Sequence, residues 1–319
     1  MSMEDDLVTI NVEIVEVGPR DGLQNEANTL PPATRQEFIL RAARAGLRRV
    51  EGVSFVNPKR VPQMANAEEV LEGLPHSREV SISGLVLNRR GVERAISSGI
   101  DEINFVVVST DTFSLRNQGR TTIQSVDEWK AVAEIARSAG IRYSVTLAAA
   151  FGCPFEGRVA IESVVELARL LVSEDPFELV IADTIGAAVP SAVTAMLESL
   201  RTEIRGATLR CHFHNTRNAG YSNVLAAIEA GVRVFDASLG GIGGCPFAPN
   251  ATGNVCTEDL AWILGEMGMQ TGIDLHGAIE TSRWICNELG IISPGLISRA
   301  GPFPNLPLDP STAPTDAVV

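Results

Sequence analysis

The sequence has no excess of positive charge and no long hydrophobic run. Its 319 residues include 26 Lys and Arg against 39 Asp and Glu, which gives a formal net charge of −13. Nucleic-acid binding needs clustered cations that neutralise phosphates, so this balance predicts no nucleic-acid partner. No apolar run approaches the roughly 20 residues that span a bilayer, so we expect no membrane partner either.

The sequence predicts neither a leader segment nor paired cysteines. Residues 1–6 are acidic, and they lack the basic start and apolar core of a signal peptide and the Arg-rich character of a transit peptide. The five cysteines are an odd number with irregular spacing, which does not indicate a disulfide framework. We therefore expect a soluble protein of a reducing, cytoplasmic compartment.

Strand-like apolar runs alternate with helix-like amphipathic runs along most of the chain. Eight such units in succession predict an α/β fold, a single (β/α)₈ TIM barrel, which typically takes about 250 residues. A doubly wound open sheet is the alternative, and it is weaker because chemically active residues follow many strands and do not cluster at one crossover. The predicted strands cover residues 9–17, 49–55, 80–87, 102–108, 143–149, 178–182, 208–213 and 232–237.

A further helix is predicted over residues 275–289, beyond the eighth unit. From Ser293 onward, Pro and Gly become frequent and the periodicity is lost. We therefore predict a barrel domain with its trailing helix over residues 1–292, followed by a loosely ordered tail over 293–319.

The seventh strand ends in a His-x-His pair, His212 and His214. Because side chains alternate along a strand, both imidazoles are predicted to face the same side at a barrel mouth. A lone buried His is usually part of the core, but this pair favours a metal site, and Asp21 would add an anionic oxygen. Such mixed ligands suit Mg²⁺ or Mn²⁺. Zinc bound through Cys211 is the competing interpretation, but alternation turns Cys211 to the opposite side.

Asp21 and Arg20 lie in a Gly-rich turn after the first strand. Barrel enzymes present catalytic groups at the carboxyl ends of their strands, so this pair is a catalytic candidate. The alternative is a surface loop in which Arg20 and Asp21 simply pair with each other. A second Gly-rich stretch, residues 238–254, has four glycines before Cys245, so a thiol there could exchange protons in a mobile loop. Cys153 has a similar context, and the residues alone do not rank Cys245 far above it.

Seven motifs together resemble those of hydroxymethylglutaryl-CoA lyases, in the same order, over roughly residues 8–290. They are residues 17–26 (VGPRDGLQNE), 54–59 (SFVNPK), 61–64 (VPQM), 152–157 (GCPFEG), 183–186 (DTIG), the His-x-His pair and the GGCP loop at 243–246.

The resemblance implies a residue-by-residue assignment of the site. The metal ligands would be Asp21, His212, His214 and Asn254. Arg20 would stabilise the thioester enolate, Glu51 would lie beside the metal, and Cys245 would transfer a proton. Asp183 and Asn88 are assigned, with Arg20, to substrate binding. The catalytic set is therefore Arg20, Asp21, Glu51, His212 and Cys245.

The implied activity is metal-dependent cleavage of hydroxymethylglutaryl-CoA to acetyl-CoA and acetoacetate. The alternatives are a lyase for a related 3-hydroxyacyl-CoA (C3-extended or citramalyl-type), a synthase, or a non-catalytic barrel that binds an acyl-CoA. An acyl-CoA thioester is thus the expected partner, and a homo-oligomer, dimer or tetramer, is the expected assembly.

Two residues after Glu51 depart from the family pattern, because Gly52 and Val53 stand where two threonines are usual. If either position faces the acyl group, the pocket is less polar and should tolerate a bulkier C3 substituent. The alternative is that both positions face the barrel wall and leave specificity unchanged.

Overall fold

The structure is a computed structural model that describes residues 11–75, 79–244 and 253–303. Eight parallel strands close a barrel in which each strand pairs with the next one along the chain, and the last pairs with the first. The predicted (β/α)₈ barrel is therefore confirmed. The barrel strands are β1 (Glu13–Glu16), β2 (Arg49–Ser54), β3 (Ser81–Val86), β4 (Glu102–Val108), β5 (Arg142–Ala148), β6 (Leu179–Asp183), β7 (Leu209–Phe213) and β8 (Val234–Ala237).

Helices surround the barrel and follow the strands that they cover. They are α1 (Pro32–Arg44), α2 (Ala67–Glu72), α3 (Arg89–Ser97), α4 (Asp111–Gln118), α5 (Thr122–Ser138), α6 (Ile161–Val172), α7 (Pro190–Glu203), α8 (Gly220–Glu229), α9 (Thr257–Glu266), α10 (Leu275–Leu289) and α11 (Ile297–Ala300). The sequence did not predict α4, α11 or a short hairpin of Gly152–Cys153 with Gly157–Arg158. These elements are too short to show a hydrophobic period.

The apolar core lies between the strands and the helices. Trp129 of α5 and Phe105 of β4 are 0% exposed, with ring centroids 5.6 Å apart. The indole Nε1 donates a 3.0 Å hydrogen bond to the Leu171 carbonyl, so the buried polar atom is satisfied. Burying one such large side chain stabilises the fold by roughly 1.5–3 kcal/mol.

The lumen of the barrel, in contrast, contains a network of ion pairs. Arg49 contacts Glu102 at 3.1 Å and Glu178 at 2.8 Å, and Arg210 contacts Glu178 and Asp236, each at 3.3 Å. Arg49 also lies 5.3 Å from the centre of the Phe177 ring. The network links side chains of β2, β4, β7 and β8 through Glu178, which directly precedes β6, so ion pairs cross the middle of the barrel.

The first residues of the predicted tail pack on the barrel. Asp259 of α9 accepts hydrogen bonds from the backbone N–H groups of Leu296 at 3.0 Å and Ile297 at 2.8 Å. The boundary at residue 292 stays a prediction, as does the state of the remaining tail, most of which lies outside the described residues. Within the described part of the chain, no helix is long and apolar enough to cross a membrane.

Candidate active site

A single wide helical turn, Gly18–Gly22, follows β1 and carries the first motif. Its glycines allow close contact with residues 238–242, which follow β8. A Cβ on Gly22 would lie 2.6 Å from Cγ1 of Ile242, so any larger residue would push the two segments apart. The turn thereby places Arg20 and Asp21 at the carboxyl end of the barrel, where such folds hold their active sites.

Arg20 is buried in this mouth between two carboxylates. Its Nε donates a 2.6 Å hydrogen bond to Oε2 of Glu51, and its Nη1 donates one of 2.9 Å to Oδ1 of Asp21. Burial lowers the pKa of Arg20, but Glu51 and Asp21 raise it by more than burial lowers it. The guanidinium therefore stays charged. Arg20 is only 9% exposed, which excludes the alternative of a paired surface loop.

Asp21, His212 and His214 form a group that could hold a metal ion. One ligand atom from each lies within 4.8 Å of the others, and the two imidazole centroids are 5.0 Å apart. Burial lowers the pKa of His214 to about 4, so its imidazole is neutral. Burial raises the pKa of Asp21, but Arg20 and the other groups around it together lower it to about 2. A neutral imidazole and an ionised carboxylate are the states that ligate metals.

The zinc alternative through Cys211 is not supported. Cys211 is 1% exposed and belongs to the apolar core between strands and helices, as strand alternation predicts. Burial also raises the pKa of its thiol, which opposes the thiolate form that binds zinc.

Buried polar atoms of two predicted ligands lack a hydrogen-bond partner among the described residues, namely the acceptor Oδ1 of Asn254 and Nδ1 of His214, which is an acceptor in one of the two neutral tautomers. The Asn254 Nδ2 group donates to Oδ2 of Asp21 at 3.0 Å and to the Ile242 carbonyl at 3.1 Å. Unsatisfied buried acceptors are rare in folded proteins and indicate a missing partner. A cation satisfies acceptors only, so the predicted ligand set of Asp21, His212, His214 and Asn254 fits a divalent ion.

The ion-paired side chains of the lumen also favour a cation. Among the described residues, five carboxylates and three guanidiniums lie in the lumen. Glu13 and Arg142 also contact the network, but they are half-exposed and their opposite charges cancel, so they are left out of this count. If every carboxylate is ionised and both imidazoles are neutral, as metal ligation requires, two negative charges remain, and a divalent ion would balance them. The carboxylates are Asp21, Glu51, Glu102, Glu178 and Asp236, and the guanidiniums are Arg20, Arg49 and Arg210.

Asp236 is a site residue that the sequence analysis missed. Its Oδ2 lies 3.1 Å from Nδ1 of His212, which leaves Nε2 of that imidazole free to bind a metal. Burial lowers the pKa of His212, but the contact with Asp236 raises it overall. A carboxylate behind a histidine ligand fixes its tautomer and orientation. In the sequence, His212 and Asp236 each stand one residue before the end of a predicted strand, but only the observed register of β7 with β8 makes them partners.

We expect Asp236→Asn to weaken Mn²⁺ binding by about 10- to 100-fold. The amide removes the charged acceptor for Nδ1–H, so His212 loses its preference for the tautomer that presents a bare Nε2. Titration of free Mn²⁺ by electron paramagnetic resonance measures the affinity, and ¹⁵N NMR reports the tautomer. The control is Asp101→Asn. Asp101 directly precedes β4, and its carboxylate accepts a hydrogen bond from the backbone N–H of Ile82 in β3. Unchanged Mn²⁺ affinity in Asp236→Asn would contradict the assignment.

The other predicted residues have definite positions. Glu51 lies in the mouth, where Asn104 donates to its Oε1 at 3.2 Å, and burial raises its pKa. Asp183 is fully buried and accepts from Ala187 N at 2.8 Å and Ala188 N at 2.9 Å, so it holds the loop after β6.

Asn88 caps α3 by accepting from Gly91 N at 2.9 Å, and within the described residues it makes no hydrogen bond with the other predicted site residues. The substrate roles of Asp183 and Asn88 stay predictions. Cys245 lies outside the described residues, so its predicted role has no structural test. Cys153 is 3% exposed and contacts Thr110 Oγ1 at 3.1 Å, in a small apolar cluster separate from the metal group.

The structure turns Gly52 and Val53 away from the lumen, so neither position supports the predicted less polar acyl pocket, and the effect on specificity stays a prediction. A Cβ on Gly52 would lie 2.9 Å from Cδ1 of Ile39 in α1, so this position faces the helices. The pairing of β2 with β3 shifts between Glu51 and Val53, and the bulge turns Val53, 0% exposed, to the same outer side. The lumen position after Glu51 is therefore Ser54, whose buried hydroxyl has no partner among the described residues.

Comparison with known proteins shows the family to which this barrel and its candidate site belong. The family model for HMGL-like proteins matches residues 11–285. The chain belongs to this family. It is 43% identical to the (R)-citramalyl-CoA lyase of Chloroflexus aurantiacus over 301 residues, which cover 91% of this chain and 95% of that protein. It is 40% identical to the hydroxymethylglutaryl-CoA lyase of Pseudomonas mevalonii over 290 residues, 91% of this chain and 95% of the other.

A solved structure shares both the fold and much of the sequence. An HMG-CoA lyase from Acinetobacter baumannii, in complex with coenzyme A and 3-methylmalate, matches with a TM-score of 0.89 and 37% identity. The match covers 94% of this chain and 98% of that one. This HMGL-like chain is accordingly a carbon–carbon lyase, since its relatives are lyases that act on CoA esters.

Proposed function

We propose that this protein cleaves the C2–C3 bond of a 3-hydroxyacyl-CoA in a metal-dependent reaction, with hydroxymethylglutaryl-CoA as the first substrate and acetyl-CoA and acetoacetate as products. The observation that carries the proposal is that Asp21, His212 and His214, a group that could hold a metal ion, lies directly beside the buried Arg20. Magnesium or manganese is the proposed ion, because the ligands are a carboxylate, an amide and two imidazoles with no thiolate.

The reaction needs three things from the site. The C3 hydroxyl loses its proton as the C3 carbonyl forms, and the electron pair of the broken bond moves to C2. A divalent ion bound at Asp21 and the two histidines would lower the pKa of that hydroxyl and fix its position. The charge that passes from C2 to the thioester oxygen requires a nearby cation, which is the role proposed for Arg20. Glu51 and Asp21 hold the guanidinium of Arg20 in place for this contact.

The product carbanion at C2 must then receive a proton to become acetyl-CoA. Cys245 is proposed as the donor, on the resemblance of its GGCP loop to that of the lyases. The rest of the sequence-based proposal, a cytoplasmic homo-oligomer of two or four subunits, accompanies this function.

Citramalyl-CoA is the second candidate substrate. Its carboxylate is attached directly to C3, whereas in hydroxymethylglutaryl-CoA one methylene separates the two. The 43% identity to a citramalyl-CoA lyase exceeds the 40% identity to a hydroxymethylglutaryl-CoA lyase, so similarity alone does not favour the first substrate. One methylene changes specificity by about 1–3 kcal/mol, or roughly 10- to 200-fold, so both thioesters should be measured together.

We expect the purified protein with Mg²⁺ to cleave hydroxymethylglutaryl-CoA, with acetoacetate and acetyl-CoA identified by mass spectrometry. The measurement is kcat/KM for this thioester and for (R)-citramalyl-CoA, whose products are pyruvate and acetyl-CoA. The control is 3-methylglutaryl-CoA, which lacks the C3 hydroxyl and reports thioester hydrolysis alone. A higher kcat/KM for citramalyl-CoA would replace the first substrate by the second. Cleavage of neither thioester would leave a lyase for a C3-extended 3-hydroxyacyl-CoA, the synthase and the non-catalytic acyl-CoA-binding barrel.

A further inference from the structure

Glu16, the last residue of β1, is a buried carboxyl that the proposed reaction does not use. It is 0% exposed. Its Oε1 accepts hydrogen bonds from the backbone N–H groups of Gly18 at 2.8 Å and Leu239 at 2.9 Å. Its Oε2 lies 2.6 Å from the hydroxyl of Thr257.

These three contacts join two separate parts of the candidate metal site. Gly18 begins the turn that carries Asp21, while Leu239 and Thr257 lie on either side of the stretch that carries Asn254. Asn254 donates to Oδ2 of Asp21 at 3.0 Å, so the two predicted ligands meet where the parts join. One side chain therefore holds the turn after β1 against both ends of the segment after β8.

The space between these segments leaves little tolerance for movement. A Cβ on Gly243 would lie 2.8 Å from Nδ2 of Asn254 and 3.1 Å from Cα of Gly22. The side chain of Asn25 also donates a 2.5 Å hydrogen bond to the Gly244 carbonyl. Because the segment after β8 packs this closely on the turn, a change in their separation at Leu239 or Thr257 is expected to alter the position of Asn254 as well.

We propose that Glu16 is a positioning residue that sets the separation of Asp21 and Asn254, and thereby the metal affinity of the site. This inference rests on the proposed metal-dependent function. Burial raises the pKa of Glu16 to about 8, so the group keeps a proton at neutral pH. A polar group in an apolar core is costly unless it is fully hydrogen-bonded, and the contacts made by Glu16 all go to the two segments that it joins.

Glu258 offers a matched comparison in the same region. It is also 0% exposed, and its oxygens accept from Gly240 N at 3.0 Å and from the hydroxyl of Ser282 at 2.6 Å. It ties the same segment after β8 to α10 and makes no contact with the turn that holds Asp21. A hydroxyl deletion at Ser282 therefore removes an equivalent buried bond without touching the link between the two ligands.

The test compares Thr257→Val, Thr257→Ser and Ser282→Ala in the full-length protein. Free Mn²⁺ is titrated by electron paramagnetic resonance, and the melting temperature is measured in parallel. We expect both Thr257→Val and Ser282→Ala to lower the melting temperature by similar amounts, because each leaves a buried carboxyl with one partner fewer. Only Thr257→Val should weaken Mn²⁺ binding, by about tenfold, and Thr257→Ser should restore it.

Equal Mn²⁺ affinity in Thr257→Val and the wild type, with a lowered melting temperature, would reduce Glu16 to a structural role and overturn the inference. The same loss of affinity in Ser282→Ala would overturn it as well, because general loosening of the segment would then be the cause. Failure of the wild type to bind Mn²⁺ would instead overturn the metal-dependent function, and this inference with it.

Discussion

Exhaustive chelation is expected to abolish the cleavage of hydroxymethylglutaryl-CoA, and added Mg²⁺ or Mn²⁺ is expected to restore it. The reason is the grouping of Asp21, His212 and His214, whose ligand atoms lie within 4.8 Å of one another, with the unsatisfied Oδ1 of Asn254 beside them. No other group of three or more His, Cys, Asp or Glu side chains in the described residues has this geometry. Removal of the ion should therefore stop catalysis altogether, without a residual activity from a second site.

The matching substitution is His214→Ala, with His276→Ala as its control. His214 is 4% exposed and part of the group, whereas the side chain of His276 is 79% exposed on α10. Equilibrium dialysis with Mn²⁺ should show loss of binding in the first variant alone, and Asp21→Ala should behave like His214→Ala. Full turnover in protein whose metal content has been verified as zero would contradict the metal-dependent mechanism.

The sequence predicted the parts of the site that depend on local pattern. Alternation along β7 places His212 and His214 together and turns Cys211 away, and the structure shows this arrangement. The position of Asp21 after the first strand follows from the rule that the carboxyl ends of barrel strands share one face. The barrel itself was predictable because each strand–helix unit has its own hydrophobic period.

Contacts that depend on register across the barrel were not predictable. Asp236 meets His212 only because β7 and β8 pair with these two residues opposite each other. Gly52 and Val53 both face outward because of a shift in the pairing of β2 with β3, which a single sequence does not reveal. Local alternation alone would have turned one of the two into the lumen.

The contacts of Arg20 depend both on local sequence and on the pairing of strands across the barrel. Its neighbour in sequence, Asp21, was an evident partner, but its shorter hydrogen bond is to Glu51, which comes from another strand. Glu51 in turn accepts from Asn104, and Asn104 accepts from Thr146 Oγ1 at 3.0 Å. The guanidinium is thus supported by side chains of β2, β4 and β5, so that its position is fixed before a substrate arrives.

Replacement of Arg20 by Met is expected to lower kcat by on the order of 100- to 1000-fold while KM changes little. A preorganised charge of this kind typically contributes about 3–4 kcal/mol to the transition state. Negative charge reaches the thioester oxygen only as the C2–C3 bond breaks, so the loss should appear in kcat and much less in ground-state binding. Arg20→Lys should retain part of the rate, because it keeps the charge but cannot bridge Glu51 and Asp21 with a planar fork.

Arg35→Met separates this effect from the loss of any buried guanidinium. Arg35 of α1 is 1% exposed and donates to the Ala65 carbonyl at 2.7 Å, outside the lumen. Its replacement should lower the melting temperature and leave kcat at the wild-type value.

In Arg20→Met, the partner carboxyl Glu51 already has a pKa raised by burial, so it can take up a proton when its ion pair is lost. Stopped-flow measurement of thioester cleavage gives kcat and KM for each variant. A rise in KM at unchanged kcat in Arg20→Met would assign Arg20 to ground-state binding and remove its role at the enolate.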